Sequence, residues 1–360
     1  MEIRHVLIAV ASASLSMPAW AQSASPPRPA ILKGELKVRY DIFDRVKALV
    51  DARDFAALNA MEREFRTSRV RTPSGVWKLS EFHGAVHAAL PEADSNQNCA
   101  FTAGPLLKAW AAATPSAPTP YIALANMLVG RAWCFRGTGY AVDVPDDDET
   151  RFQHTIAAAY ETLSSHSRIA AKDPEYYVVM EDIYRAQGRG RPAFQRLLDE
   201  ASAKEPYYYE LYAHAYYYNM PQWFGGYPEI EQAARYAVAR TQDQDGLGAY
   251  ARYYWNATGE GCDCWVHAID WATMKKAMKD VVERNPEPWN LANFAQIACE
   301  MNDSVVAREY FVALGNDDGS EAWGADKEGW QKCRDFAATV GGPLALPKTS
   351  APPGSDRRIP

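Results

Sequence analysis

The most regular hydrophobic pattern of the chain lies in residues 206–241. Aromatic or apolar residues recur there at intervals of three and four, at Tyr208, Leu211, Tyr212, Ala215 and Tyr218, and again at Ile230, Ala233, Ala234, Ala237 and Val238. This spacing predicts two amphipathic helices. Pro221 ends the first helix, and Gly225 with Gly226 gives the backbone freedom to reverse. The stretch therefore predicts a helical hairpin, which needs stacked neighbours to bury its apolar faces.

The same periodicity predicts helices along most of the chain. They cover residues 36–66 with a break near Arg53, 77–90, 100–113, 121–135, 152–171, 268–282 and 290–315, followed by a polar-faced helix over 321–339. Pro174 and Pro206 open two Tyr-rich helices 32 positions apart, close to the roughly 34-residue period of tetratricopeptide repeats. The sequence therefore predicts an all-α fold, a tetratricopeptide-like array of helical hairpins (an α-solenoid) over residues 36–340 with a capping C-terminal helix.

The two ends of the chain have a different composition. Residues 1–21 combine a weakly basic start, an apolar centre and a small-residue end, Ala19-Trp20-Ala21, which is typical of a secretory signal peptide. Residues 22–35 and 341–360 are rich in Ser or Pro and predict a flexible lead-in and a disordered tail. We therefore expect a periplasmic or secreted protein without a membrane span.

Charge and cysteine content narrow the function classes. The net charge of −7 does not suit nucleic-acid binding. All six cysteines follow the expected cleavage point, and in an oxidising compartment they predict disulfides. Cys99 and Cys134 should pair, because they lie at the adjoining ends of two consecutive helices. Cys262 and Cys264 should take Cys299 and Cys333 as partners, in either order, since two cysteines that close bridge each other only with strain.

Two metal sites are conceivable from spacing alone. His83 and His87 lie one helical turn apart, and Cys262, Cys264 and His267 form a compact group. The histidines lack an HExxH frame and a third ligand nearby in sequence, and thiols in an oxidising compartment usually form disulfides. We therefore expect neither a metal nor another cofactor.

Four ordered motifs carry a resemblance to a known family. They are Gly75-Val76-Trp77-Lys78-Leu79, Trp110 with Thr114-Pro115-Ser116, Ala132-Trp133 before Arg136-Gly137-Thr138-Gly139, and Trp223-Phe224-Gly225-Gly226. Over residues 58–255 the chain resembles an uncharacterised bacterial family of secreted tetratricopeptide-like helical proteins, catalogued as a domain of unknown function. Where that family usually has Trp-Gly-Gly, this chain has an inserted Phe224. The resemblance implies the helical fold and no known reaction.

The favoured function is a scaffold that binds a protein or peptide partner, because the first helices of stacked hairpins line a groove. The candidate contact residues are Tyr208, Tyr212, Tyr216, Trp223, Phe224, Gly225, Gly226 and Arg136. The tyrosines could equally fill gaps between helices.

Two alternatives remain open at this stage. One is a glycan or small-ligand binding protein that uses the Trp223 loop. The other is a glycan-processing hydrolase with paired carboxylates, for which Glu181, Asp182 and Glu210 are candidates. The chain has no Gly-x-Ser-x-Gly elbow, so an enzyme is the less favoured interpretation.

Overall fold

A computed structural model describes residues 33–91, 93, 98–137, 139, 141–258, 264–315, 317, 319–324 and 326–344. Within these ranges the chain forms seventeen α-helices, and its only β-type pairing is one bridge between Arg71 and Trp77. The prediction of an all-helical fold is confirmed. None of the helices in these ranges is long and apolar enough to cross a bilayer. The predicted signal peptide and residues 345–360 of the predicted tail lie outside the described residues.

The chain divides into two compact units between Asn285 and Pro286. The helices of the first unit are α1 (Gly34–Asp51), α2 (Phe55–Ser68), α3 (Lys78–Ala89), α4 (Gly104–Ala113), α5 (Thr119–Arg136), α6 (Asp146–Ser165), α7 (Ser167–Ala170), α8 (Glu175–Ala186), α9 (Arg191–Lys204), α10 (Glu210–Asn219), α11 (Tyr227–Asp245), α12 (Gly248–Trp255), α13 (Cys264–Ala268) and α14 (Trp271–Arg284). The second unit contains α15 (Pro288–Glu300), α16 (Ser304–Leu314) and α17 (Lys327–Ala338).

Local sequence explains most of the helix boundaries. The side chains of Asp54 and Asp270 accept hydrogen bonds from backbone N–H groups in the first turns of α2 and α14, which satisfies donors that a helix start leaves unpaired. The acidic run at 146–149 forms the first turn of α6, where negative charge complements the helix dipole. The helix predicted over 152–171 is interrupted at His166, whose ring stacks on Tyr121 with 4.0 Å between centroids.

In the first unit, consecutive helices pack as hairpins and also contact the next hairpin. The pairs α5 with α6, α8 with α9 and α10 with α11 pack on each other, while α10 also packs on α8 and α14 on α12. The predicted hairpin of 206–241 corresponds to α10 and α11 and is confirmed. The predicted Cys99–Cys134 disulfide is also confirmed, with a Cα–Cα distance of 5.8 Å.

The second unit corrects the remaining disulfide prediction. Cys299 at the end of α15 bonds Cys333 of α17, with a Cα–Cα distance of 5.7 Å. Because α15 and α17 pack on each other, these two cysteines can form a disulfide with each other. The prediction that each of them pairs with Cys262 or Cys264 is therefore wrong. Cys264 is itself disulfide-bonded, so it is not a thiolate for zinc, and Cys262 lies outside the described residues.

Candidate functional site

A turn near the N-terminus covers the Tyr-rich start of α10. The Trp77 ring meets Tyr208 edge to face at 5.6 Å, and Arg71 donates a hydrogen bond to the Tyr209 hydroxyl at 3.2 Å. An Arg252 N–H group on α12 donates to the Ser74 carbonyl at 2.8 Å, across 178 sequence positions. The motif that contains Trp77 therefore packs on the residues just before α10 and is held there by α12.

The three predicted contact tyrosines of this region are buried. Tyr208, Tyr212 and Tyr216 are each at most 2% exposed. The Tyr208 hydroxyl donates to Glu175 Oε2 at 2.6 Å, the Tyr212 hydroxyl donates to the Pro206 carbonyl at 2.8 Å, and Tyr216 packs against Tyr253 with 5.7 Å between ring centroids. Their rings pack between helices, so the accessible site must be sought elsewhere.

The loop after α10 is held in one shape by several contacts. Phe224 stacks on Tyr218 at 4.8 Å, and its carbonyl accepts a hydrogen bond from Arg191 at 2.7 Å. The Trp223 N–H donates to the Met220 carbonyl at 2.9 Å. Phe224 therefore anchors the loop through its ring and its carbonyl group, while Trp223 stays partly exposed.

The two glycines of this loop have different roles. Gly225 lies against the end of α10, where a Cβ atom would come within 2.3 Å of the Asn219 carbonyl oxygen. Gly226 has φ −170° and ψ −173°, an extended conformation open to any residue. Gly226 therefore does not use the conformational freedom that the sequence analysis attributed to it. The loop requires glycine at 225, because of close backbone approach.

The partly exposed rings of Trp133 and Trp223 come together beside two arginines. The indoles meet edge to face at 5.6 Å. The Arg185 guanidinium of α8 lies 5.1 Å from the Trp223 ring, 5.8 Å from Trp133 and 5.7 Å from Tyr217. Arg136 lies over Trp133 at 5.4 Å. We call these five residues the tryptophan–arginine cluster. It unites two of the motifs that carried the family resemblance, although 90 positions separate Trp133 from Trp223.

An ion-paired aspartate fixes the arginine at the centre of this cluster. Asp182 accepts a hydrogen bond from Arg185 at 3.0 Å, and its second oxygen lies 3.0 Å from His214 Nδ1. Burial by itself would raise the Asp182 pKa, but the His214 and Arg185 charges lower it to about 2. Burial lowers the His214 pKa, but the Asp182 charge raises it, and the pKa is raised overall. Asp182 is therefore ionised and holds Arg185 in place against the three rings.

A row of carboxyl groups continues from this ion pair along α8 and α10. Burial raises the pKa of Glu175 to about 7, although the charge of His83 lowers it. Burial also raises the pKa of Glu210, although the charges of His214 and Arg39 lower it. Glu81 on α3 pairs with Arg39 at 2.7 Å, yet burial raises its pKa to about 7 as well.

Glu181 differs from the other members of this row. Its side chain is 1% exposed, and neither carboxyl oxygen has a hydrogen-bond partner among the described residues. Burial, followed by the charges of Asp182 and Glu175, raises its pKa well above the usual range. Burial and these two negative charges therefore favour the neutral form of Glu181.

The predicted carboxylates of the hydrolase alternative thus have separate environments. Asp182 pairs with Arg185 and His214, Glu181 is buried, and Glu210 is partly exposed. A hydrolase needs an acid and a base that both reach the substrate. Glu181 does not reach solvent, so Glu181 and Asp182 are not arranged as an acid and a base that both reach a substrate.

His83 has a structural partner. Its Nε2 lies 2.9 Å from Oδ2 of the buried Asp173, which also receives the Glu175 backbone N–H at 3.0 Å. Burial would lower the His83 pKa, but Asp173 raises it to about 9. Across the described ranges, no three His, Cys, Asp or Glu side chains converge as metal ligands.

The sequence did not point to two members of the cluster, Arg185 and Tyr217. Arg185 lies at the end of the run EYYVVMEDIYR on α8, and Tyr217 lies in the run of tyrosines on α10. The spacing of Glu210, His214 and Tyr217 places these three on one helix face and could have indicated a polar face distinct from the buried one.

Comparison of the chain with protein-family models, with curated proteins and with solved structures gives no match in any of the three.

Proposed function

We propose that the protein is an exported array of helical hairpins that binds a peptide segment of a protein partner at the tryptophan–arginine cluster. The observation that carries the proposal is the meeting of two partly exposed indoles around a fixed guanidinium. Trp, Tyr and Arg are the residues most enriched at energetic hot spots of protein interfaces.

The hairpin packing supports the array. In the first unit α10 packs on α8 and α14 packs on α12, and such next-neighbour packing is typical of stacked repeats. The acidic-Pro steps that precede α8 and α10 are spaced close to one tetratricopeptide period. An array of this kind offers a rigid surface on which side chains of successive first helices lie side by side.

Export is supported by the sequence of residues 1–21 and by the disulfides. Cys99–Cys134 and Cys299–Cys333 are typical of proteins that fold in an oxidising compartment. The partner would accordingly be found in the periplasm or outside the cell.

The rigidity of the cluster favours peptide binding. Asp182 and three rings hold Arg185, and the Phe224 and Gly225 contacts hold the Trp223 loop, so little side-chain entropy remains to be lost on binding. The same paired indoles next to polar groups also favour a sugar ring as an alternative ligand, because sugars stack on Trp and hydrogen-bond to charged neighbours.

The test is selection of a displayed random peptide library on the full chain, in parallel with an oligosaccharide array. Dissociation constants of the selected peptides are then measured by fluorescence polarisation for wild type, Trp223→Ala and Tyr207→Ala. Tyr207 is a suitable control because its ring contacts Arg71 and its hydroxyl bonds Asp243, away from the cluster.

We expect selected peptides to bind wild type and the Tyr207→Ala variant equally. Trp223→Ala should weaken them by roughly thirtyfold or more, the size of a hot-spot loss. Peptides that bind both variants alike would refute the role of the cluster. Binding of an oligosaccharide that Trp223→Ala abolishes, with no peptide selected, would replace the peptide by a glycan.

A further inference from the structure

Three arginines lie at the paired indoles, and among the described residues one of them alone has a carboxylate partner. Arg185 donates to Asp182 at 3.0 Å. Arg191 donates to neutral oxygens at the end of α10 and in the loop after it, at 3.0 and 2.7 Å. Arg136 makes long contacts of 3.3 and 3.4 Å with backbone carbonyls of the turn after α5. Positive charge at the indoles therefore exceeds the negative charge that neutralises it.

Two N–H donors inside the cluster also have no acceptor. Trp133 Nε1 and Arg185 Nε are both buried, and neither has a hydrogen-bond partner among the described residues. Arg185 as a whole is 6% exposed. A buried donor without an acceptor costs about 1–3 kcal/mol. Two such donors on side chains that pack against each other indicate a ligand that supplies the acceptor.

The row of carboxyl groups on α8 and α10 lies toward the other end of these helices. Glu175 is the first residue of α8 and precedes Arg185 by about 15 Å of helix. Glu210 is the first residue of α10 and precedes Tyr217 by about 10 Å. Burial raises the pKa of the closer Glu181 and favours its neutral form. The excess of positive charge is therefore local to the cluster, although the whole chain has a net charge of −7.

We propose that the cluster binds a carboxylate group of the peptide ligand, whose oxygens accept hydrogen bonds from Trp133 Nε1 and Arg185 Nε and whose charge Arg136 and Arg185 neutralise. This inference rests on the proposed function, because it names the group that anchors the bound peptide. Carboxylate is the anionic group of an unmodified peptide, either at its C-terminus or on an Asp or Glu side chain.

The carboxylate reaches these covered donors by displacing the Arg136 side chain. Arg136 is partly exposed, and its guanidinium lies over the Trp133 ring at 5.4 Å. Its long contacts with backbone carbonyls cost little to break, whereas Asp182 holds Arg185 in place. Once turned aside, Arg136 pairs with the bound carboxylate, and hydrogen bonds between charged groups are roughly twice as strong as neutral ones.

Two pairs of small probes test the carboxylate and separate its two sources. N-acetyl-alanine carries a C-terminal carboxylate, and its neutral match is N-acetyl-alanine methylamide. N-acetyl-glutamate α-methylamide carries a side-chain carboxylate, and its neutral match is N-acetyl-glutamine methylamide. Each probe is titrated against the full chain, and inorganic phosphate is titrated as a second kind of anion.

The measurement is the indole N–H resonance of Trp133 in heteronuclear NMR spectra of the full chain. Its assignment comes from its absence in the Trp133→Phe variant. An N–H group that gains an acceptor shifts downfield, so this resonance reports the proposed hydrogen bond as well as the dissociation constant of the probe.

The variants are Arg136→Gln and, as its control, Arg168→Gln. Arg168 is exposed on α7, which begins next to His166. The His166 ring stacks on Tyr121, about 18 Å from Trp133 along α5. Arg136 has no carboxylate partner among the described residues, so its replacement leaves no carboxylate without a cation. Matching melting curves check that both variants are folded.

Wild type and Arg168→Gln should bind one of the carboxylate probes at least about tenfold more tightly than its neutral match, the size expected for a hydrogen bond to a charged group. Binding should shift the Trp133 resonance downfield, and Arg136→Gln should lose the preference. Equal binding of charged and neutral probes, an unmoved Trp133 resonance, a preference that survives Arg136→Gln, or tighter binding of phosphate than of either carboxylate overturns the inference.

The peptide library separates this inference from the proposed function. If selected peptides bind equally well after amidation of the C-terminus and replacement of Asp and Glu by Asn and Gln, the proposed function stands and this inference fails. If the carboxylate probes bind as expected while no peptide is selected, the carboxylate site stands for a small acid and the proposed function fails.

Discussion

Substituting the two loop glycines tests the backbone approach that shapes the Trp223 loop. In Gly225→Ala the new Cβ atom would lie 2.3 Å from the Asn219 carbonyl oxygen and 2.8 Å from the Asn219 Cα and carbonyl carbon. Real Cβ atoms do not come this close to backbone, so either the loop or the end of α10 has to move. In Gly226→Ala the nearest atom is Glu229 Oε2 at 3.3 Å, the mobile end of a side chain.

The end of α10 has little freedom to yield. The Asn219 amide nitrogen donates to the Ala215 carbonyl at 2.8 Å, and its amide oxygen accepts from Arg191 at 3.0 Å. Overpacking of this kind costs about 1–3 kcal/mol. In a unit of this size 1 kcal/mol corresponds to about 2–4 °C in melting temperature, so Gly225→Ala should lower it by roughly 2–12 °C. Gly226→Ala should be near neutral or slightly stabilising, since Ala restricts the unfolded chain.

Differential scanning calorimetry of wild type and both variants measures the difference, and near-ultraviolet circular dichroism reports whether the environment of the indoles changes. We expect Gly225→Ala alone to lower the melting temperature and to alter the Trp signal. Equal melting temperatures for the two variants, or a larger loss for Gly226→Ala, would refute the close approach at 225.

Three further predictions concern the rest of the first unit. Burial lowers the His83 pKa, but Asp173 raises it from 6.5 to about 9, so the ion pair stabilises the fold fully below pH 6.5 and the stabilisation is lost as the pH rises through about 9. The melting temperature of the His83→Gln variant should therefore vary less over this pH range than that of wild type, and parallel pH profiles would contradict the assignment. Replacing Cys99 and Cys134 by Ser together should reduce the free energy of unfolding in urea by about 2–4 kcal/mol, and an unchanged midpoint would contradict a stabilising bridge. Gly75→Ala places a Cβ atom 2.6 Å from Arg252 Nη2 at a residue whose φ is +91°, so calorimetry should show that the free energy of unfolding falls by about 1–3 kcal/mol. A variant as stable as wild type would mean that the turn is not held against α12.

Local patterns predicted what depends on local interactions. The apolar spacing of 206–241 was sufficient for α10 and α11, and the Cys99–Cys134 bridge followed from two helices adjacent in sequence. The Cys299–Cys333 bridge joins helices that are not consecutive, and neither helix carries a pattern that specifies how they pack. Register between distant helices is decided by tertiary packing, which periodicity does not encode.

The candidate site shows the same limit. Trp223 was identified from its motif, but its neighbour Trp133 belongs to another motif far away in the chain, and Arg185 carries no motif at all. The tyrosines of α10 were ambiguous between core and contact because a Tyr-rich helix looks alike in both cases. Their burial depends on residues distant in sequence: Trp77 packs against Tyr208, and Tyr253 packs against Tyr216.

The hydrogen bond from Arg252 to the Ser74 carbonyl also has a consequence for the order of folding. A chain is synthesised from its N-terminus at about 5–20 residues per second, so roughly 10 to 35 s pass between the making of Ser74 and that of Arg252, 178 positions later. During this interval the first hairpin has no α10 or α12 to rest on, and the Trp77 ring has no Tyr208 to cover it. Fragments that end before α12 should therefore be sensitive to proteases in the turn at 72–77, and protection there should appear only when the chain extends past residue 255.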